Sequence, residues 1–299
     1  MSKAIAYAAR FNRVFDYIDK HVDEVFSLEE LSQVAGFSKY HFHRQFSEYT
    51  GMSVFRYVQL IRFKRASYRL AFNRVDRIID IGLDTGFENP ESFSRAFKNT
   101  FGQTPSEFRK SPSWKQWYER YKFPTRERKQ NMDVKIIDFQ QTKVAVLEHR
   151  GAHELINDSV ITFIAWRKAS GLSPVKTSRT FGIAYDNPDT TEPEKFRFDI
   201  CGEVKADVPD NQQCVVNRVI PGGRCAVVRH FGSHDRMGES IYPLYRDWLP
   251  ESGENLRDFP LFFHYLTLMP ETPEHELITD IYLPLKQEQK TMLISGNKE

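Results

Sequence analysis

At 299 residues with 40% hydrophobic content the chain exceeds what one core usually organises, so two domains are expected; three cysteines without C-x-x-C spacing, Cys201, Cys214 and Cys225, exclude a disulfide framework or thiolate metal site. No run of about 18 apolar residues can span a bilayer, and the start Met1-Ser-Lys-Ala-Ile-Ala-Tyr7 has no secretory apolar segment, so a cytoplasmic protein without membrane contact is expected. The net charge of +2 hides 23 Lys/Arg against 15 Asp/Glu in residues 1–129 and 19 against 25 in residues 130–299, a basic block ahead of an acidic one that suits a nucleic-acid-binding half joined to something else.

From Ala4 to about Val25 the apolar residues Ile5, Ala8, Phe11, Phe15, Ile18 and Val22 recur three or four apart and predict an amphipathic helix. Ser27 with Glu30 reads as a capping box for a short helix through Leu28, Leu31 and Val34. Ala35-Gly36-Phe37 breaks it, and Ser38 starts a second helix that runs to Thr50 and ends at Gly51. A long helix with a strongly basic exposed face is expected from about Val54 to Leu70. The pattern then repeats: Ile78, Ile81 and Leu83, a break at Thr85-Gly86-Phe87, and a helix from Pro90 with Phe93, Ala96, Phe97 and Phe101 up to Gly102. Gly36 and Gly86 occupy the turns where two helices meet steeply, a conformation that favours glycine.

The polar stretch around Arg126-Glu-Arg-Lys-Gln-Asn131 is the best linker candidate, giving boundaries of 1–112, 113–131, 132–286 and a tail at 287–299. Beyond the linker the texture changes to short β-branched runs, with one helix near Asp158–Ala169. This half is also duplicated: Val144-Ala-Val-Leu-Glu-His-Arg-Gly151 returns as Cys225-Ala-Val-Val-Arg-His-Phe-Gly232. The fold class expected is thus an all-α double helix-turn-helix domain followed by an α+β domain of two β-α-β-β repeats with a groove between them. The 24 phenylalanines fit aromatic-rich interiors or an aromatic-lined cavity. His149, His153, His230 and His234 form two H-x-G-x-H sequences that read as turn residues produced by the repeat, and no metal or other cofactor is expected.

A recognition helix presents donors and acceptors just after the tight turn. Lys39, Tyr40, His43 and Arg44 stand there in the first unit, and Asn89, Glu91, Ser92 and Arg95 in the second. Ile78-Ile-Asp-Ile-Gly-Leu-Asp-Thr-Gly-Phe-Glu-Asn89, Ser92-Phe-Ser-Arg-Ala-Phe-Lys98 and Phe101-Gly-Gln-Thr-Pro-Ser-Glu-Phe-Arg109 resemble the signature of the AraC/XylS family, in its Rob-like branch. The resemblance covers about residues 7–110 and implies seven helices, contacts to successive major grooves of double-stranded promoter DNA, and RNA polymerase as a partner of an activator. By resemblance, base contacts pass to Tyr40, His43, Arg44, Glu91, Ser92 and Arg95. Tyr40 stands where Trp is common and His43 where Gln is common. Glu91 fits two roles, acceptor from a cytosine amino group or helix-start carboxylate. Two recognition helices in one chain favour a monomer.

Arg150-Gly151, Ile220-Pro-Gly-Gly-Arg224, Phe231-Gly232, Asp247-Trp-Leu-Pro250 and Thr279-Asp-Ile-Tyr-Leu-Pro-Leu285 resemble the GyrI-like domain over about 132–286. The resemblance implies a small amphipathic, often cationic, effector in an aromatic groove with an acidic residue at its base, here Asp280 with its repeat mate Asp199. Trp166, Tyr185, Trp248, Phe262, Tyr265 and Tyr282 are the aromatic candidates for that groove, as cation–π seats or as ordinary core. A non-enzyme is expected. The alternative, a GyrI-like hydrolase or drug-sequestering protein tethered to DNA, would use Asp280 as a general base.

Overall fold

The computed structural model of the protein describes residues 3–73, 75–121, 132–188 and 190–287, with the side chains of residues 3–8 and of Tyr40 outside that description. The first half is helical: α1 (Lys3–Lys20), α2 (Leu28–Ala35), α3 (Lys39–Thr50), α4 (Val54–Phe72), α5 (Ile78–Asp84), α6 (Pro90–Phe101), α7 (Pro105–Lys110) and α8 (Trp114–Glu119). Ser27 Oγ accepts from the Glu30 amide at 3.1 Å and the Glu30 carboxylate accepts from the Ser27 amide, so α2 starts on the expected box. Gly36, at φ 67°, turns the chain from α2 into α3, and Gly86, at φ 83°, lies between α5 and α6. Each is a left-handed position that a side chain would strain.

The phenylalanines fill two adjoining cores. Phe11, Phe15, Phe42, Phe46 and Tyr57 form the first, and Phe63, Phe93, Phe97, Phe101 and Phe108 the second. The spacer helix α4 contributes to both, Tyr57 to one and Phe63 to the other, which fixes the two helix-turn-helix units relative to one another. The second core extends past the boundary expected at 112. α8 buries Trp114 and Trp117 against Tyr68 and Phe108, so the expected linker 113–131 opens with a packed helix. The reason is the 114, 117, 121 spacing of Trp114, Trp117 and Tyr121, an apolar stripe hidden among polar residues. Residues 122–131 of that linker, and 288–299 of the tail, lie outside the described residues.

The second half is a single eight-stranded antiparallel sheet built from β1 (Lys135–Phe139), β2 (Thr142–Arg150), β3 (Thr180–Ala184), β4 (Arg197–Glu203), β5 (Val216–Ile220), β6 (Gly223–Phe231), β7 (Leu261–Tyr265) and β8 (Ile278–Pro284). Their order, β1-β6-β8-β7-β3-β4-β2-β5, is pseudo-symmetric about the β7–β3 pair. Each β-α-β-β copy is preceded by one further strand that crosses over: β1 pairs with β6 of the second copy, and β5 with β2 of the first. The exchange ties the copies into one sheet and leaves β1 and β5 at the edges.

Helices cover one sheet face. In the first copy this is α9 (Ile156–Ser170), packed through Phe163 and Trp166 on Ala145 and Ile200. In the second copy the helix is broken into α10 (Gly238–Pro243), a wider turn over Leu244–Trp248, and α11 (Leu249–Ser252). Pro243 and Pro250 each remove an amide donor there. The opposite face closes on its own aromatic core of Phe139, Phe181, Phe262 and Tyr282.

Candidate DNA interface and effector cleft

Lys39, His43 and Arg44 are exposed on α3, while Phe42 and Phe46 are fully buried on its other side. Tyr40 lies on the same helix with its side chain outside the described residues. On α6, Glu91 and Arg95 are exposed and Ser92 is half-buried. Asn89 is the cap: its Oδ1 accepts from the Ser92 amide at 2.8 Å. Arg44 and Arg95 are exposed and make no hydrogen bond or ion pair among the described residues.

The basic face expected on α4 is mostly spent inside the protein. Arg62 donates to the carbonyls of Val22 and Glu24, Arg65 to Asp23, and Arg69 to both Asp76 and Asp84. These partners lie outside the helix, so helical periodicity could not reveal them. They fasten α4 to the loop after α1 and to the second unit.

Alternation along the strands sorts the candidate effector residues onto two sheet faces. Asp199, Phe262, Asp280 and Tyr282 point away from the helices, as does Tyr185 just past β3. Phe262 and Tyr282 stack at 4.8 Å. Both carboxylates there already hold a cation. Arg229 meets Asp280 through two bonds, Nε to Oδ1 at 2.7 Å and Nη2 to Oδ2 at 2.9 Å. Arg150 Nη1 reaches Asp199 Oδ1 at 2.9 Å, and the Tyr185 hydroxyl donates to Oδ2 at 2.8 Å. Trp166, Trp248 and Tyr265 lie on the helix side, Trp166 within the core. The sequence reading missed Arg150 and Arg229. A signal was present: Glu148 of one strand becomes Arg229 in its copy, a charge reversal inside a repeated motif.

The paired histidines have a matching structural explanation. His149 bonds Ser159 Oγ at 2.9 Å and the Ala152 carbonyl at 3.1 Å; His230 bonds Ser240 Oγ at 3.0 Å and the Ser233 carbonyl at 3.1 Å. A carbonyl only accepts, so each Nε2 carries the proton and each Nδ1 accepts from serine. The bonds pin the same strand-to-helix turn twice.

Residues 132–286 match the GyrI-like small molecule binding domain, and residues 31–111 match a helix-turn-helix domain. The chain belongs to the GyrI-like family. Its GyrI-like half is similar to "Probable transcriptional regulator YgiV" of Escherichia coli (strain K12), 51% identical over 154 residues that cover 52% of this chain and 96% of that protein. Its helical half is similar to the right origin-binding protein of the same organism, 35% identical over 98 residues that cover 33% of this chain and 34% of that one. The crystal structure of the EcmrR C-terminal domain aligns with a TM-score of 0.44 and 16% identity, over 53% of this chain and 100% of that domain. The chain is thus a DNA-binding transcriptional regulator with an AraC-type helix-turn-helix half and a GyrI-like half.

On its helix side the GyrI-like half faces a cleft of about 2600 Å³ that the DNA-binding half completes. Phe163, Phe198 and Tyr265 line it from one side, Tyr68 and Tyr121 from the other. The turn after β6 also lines it and grips the helical half. Lys64 of α4, 6% exposed, lies 2.5 Å from Asp235, 2.6 Å from Glu274 and 3.2 Å from Ser233 Oγ. Arg236 adds Asp19 at 3.0 Å and Asp16 at 3.5 Å, both on α1.

His234 sits in this turn with its ring 4.9 Å from that of Tyr265, and its Nε2 is buried without a hydrogen-bond partner among the described residues. Burial pushes it down to about 4, against the opposing pull of Asp235 and Glu274. The depressed value means that the unfolded chain takes up a proton at His234 before the folded chain does. Its contribution is therefore complete above pH 6.5 and is lost as pH falls from 6.5 to 4, by at most about 3 kcal/mol. Urea denaturation of wild type and His234→Gln across that window should show the variant losing less stability on acidification. Parallel curves for the two proteins would contradict the assignment.

Proposed function

We propose that the protein is a transcription activator that docks as a monomer on promoter DNA and whose GyrI-like half takes a small amphipathic effector in the cleft between the halves. In this reading Arg44 and Arg95 pair with guanines. Tyr40, His43, Glu91 and Ser92 tune the sequence read, Lys39 contacts the backbone, and Asn89 holds α6 in place as its cap. RNA polymerase is the partner that the family resemblance implies. Tyr265 contacts the effector directly, while Trp166 and Trp248 support the cleft from the core. Tyr185, Asp199, Phe262, Asp280 and Tyr282 form a second, closed face, which a cationic ligand enters only by displacing Arg150 or Arg229. The same pairing argues against hydrolysis, since a carboxylate held at both oxygens by a guanidinium is a poor general base.

The observation that carries the reading is the grip on Lys64. The turn that lines the cleft also holds the helix that joins the two recognition units, so a ligand that moves this turn alters their mutual position. A ligand shifts output only through different affinity for two such arrangements. The test is selection of binding sites from random DNA by the full chain, followed by footprinting. Two protected major-groove segments on one DNA face, roughly 34–36 Å apart, are expected from a single copy. A lone protected segment, or protection that requires two copies, would overturn the two-unit reading.

A further inference from the structure

Arg167, near the end of α9, is 4% exposed and makes no ion pair among the described residues. Its Nε donates to the Ser173 carbonyl and its Nη1 to Thr180 Oγ1 at 2.8 Å. Nη2 is buried with no hydrogen-bond partner among the described residues, as is the hydroxyl of Ser173, and the guanidinium carbon lies 5.7 Å from the centre of the Phe163 ring. Burial pushes this guanidinium down to about 10, and no carboxylate among the described residues opposes it. A guanidinium has five N–H donors, and two are used here. The three that remain, one on Nη1 and two on Nη2, leave a donor on each terminal nitrogen, which is what receiving both oxygens of a carboxylate or phosphate requires. Thr180 Oγ1 accepts from Arg167, so its own hydrogen is free to join them.

The surroundings fit the same chemistry. Arg167 lines the cleft, and Lys168 and Lys176 stand exposed on the same rim without ion-pair partners among the described residues. On the opposite sheet face the cationic and anionic groups neutralise one another, Arg229 with Asp280 and Arg150 with Asp199. The fold itself does not ask for a charge at this position. Counting from the His-Ser pairs, the second copy has Trp248 there; counting back from the closing glycines Gly171 and Gly253, it has Leu249. A buried charge without a counter-charge is costly to hold, and only one copy holds it.

We propose that the effector of this cleft carries an oxyanion, a carboxylate or phosphate group, which docks on the two terminal nitrogens of Arg167 while its apolar body lies along Phe163 and Phe198. The proposal rests on the reading of the cleft as the effector site. Nη2 is sealed from solvent, so the bound state also has the segment 171–179, which Arg167 holds through the Ser173 carbonyl, lifted from the guanidinium.

The experiment is calorimetric titration of the full chain with three probes: octanoate, phenyl phosphate and tetraphenylphosphonium. Octanoate or phenyl phosphate should bind, the better of the two naming the oxyanion, and Arg167→Met should weaken that binding at least tenfold. Arg167→Lys, which keeps the charge without the fork, should fall between, and guards against a Met variant that folds poorly. Thr180→Val should weaken binding two- to fivefold. Binding to Arg167→Met and Arg167→Lys as tight as to wild type would overturn the proposal. So would binding of tetraphenylphosphonium alone, which would leave the cleft as an effector site of the opposite charge. Binding of none of the three would remove both this proposal and the reading of the cleft beneath it.

Discussion

Arg44→Ala and Arg95→Ala should each weaken binding to the preferred DNA site about 10- to 100-fold, with little change in thermal stability. The magnitude follows from the roughly 1–3 kcal/mol by which a bidentate arginine–guanine pair discriminates between bases. Stability should hold because both side chains are exposed and neither is bonded to another group of the protein among the described residues. The arginines sit on different recognition helices and share no partner, so the double variant should lose close to the sum of the two free energies. Fluorescence anisotropy at one fixed salt concentration checks this, since salt alone moves such affinities by orders of magnitude. A base contact also has a signature that a phosphate contact lacks: each variant should become indifferent to one position of the site. If affinity drops equally on every sequence, the arginines touch phosphates and the base-reading assignment is wrong.

Much of this was legible in the sequence because the devices involved are local. The Ser27–Glu30 box spans four residues, the turn glycines Gly36 and Gly86 recur with the duplication, and each recognition helix shows its buried phenylalanines at helical spacing. The repeated strand motif likewise announced a duplicated α+β half. The features that escaped depend on residues distant in the chain. Arg229 meets Asp280 only because β6 and β8 pair in one particular register, and Arg150 meets Asp199 through the register of β2 and β4. The strand exchange of β1 and β5 changes partners without changing pattern. On α4 the basic residues look like a solvated face until the loop after α1 folds against them. The polar neighbours of Trp114 and Trp117 suggest a linker, whereas burial of two large rings outweighs that polarity. The acidic seat shows the consequence for function: type and position of Asp280 were readable, but not that an arginine already occupies it.

Lys64→Met should detach the GyrI-like half from the helical half. The ammonium is nearly buried and faces Asp235 and Glu274, which raise its proton affinity despite desolvation. Without it, the carboxylates of Asp235 and Glu274 lose the cation that lies between them, and breaking a buried pair in this way typically costs 3–5 kcal/mol. Asp235 is more than a third exposed and can recover water, which places the expected cost near the low end, about 3 kcal/mol. The chain has a way to avoid that cost, because both carboxylates belong to one half and the methionine to the other: separation rehydrates them. Undocking should therefore be seen as a larger radius of gyration by small-angle scattering and as two unfolding transitions in place of one. Lys64→Met/Asp235→Asn/Glu274→Gln, which removes the like charges along with the lysine, should restore docking in large part. Arg236 still holds Asp16 and Asp19 in both variants, so recovery by the triple variant isolates the charge at Lys64 from the rest of the joint. If Lys64→Met keeps the wild-type radius and a single transition, the buried lysine is not what binds the halves, and the route from cleft to recognition helices has to run elsewhere.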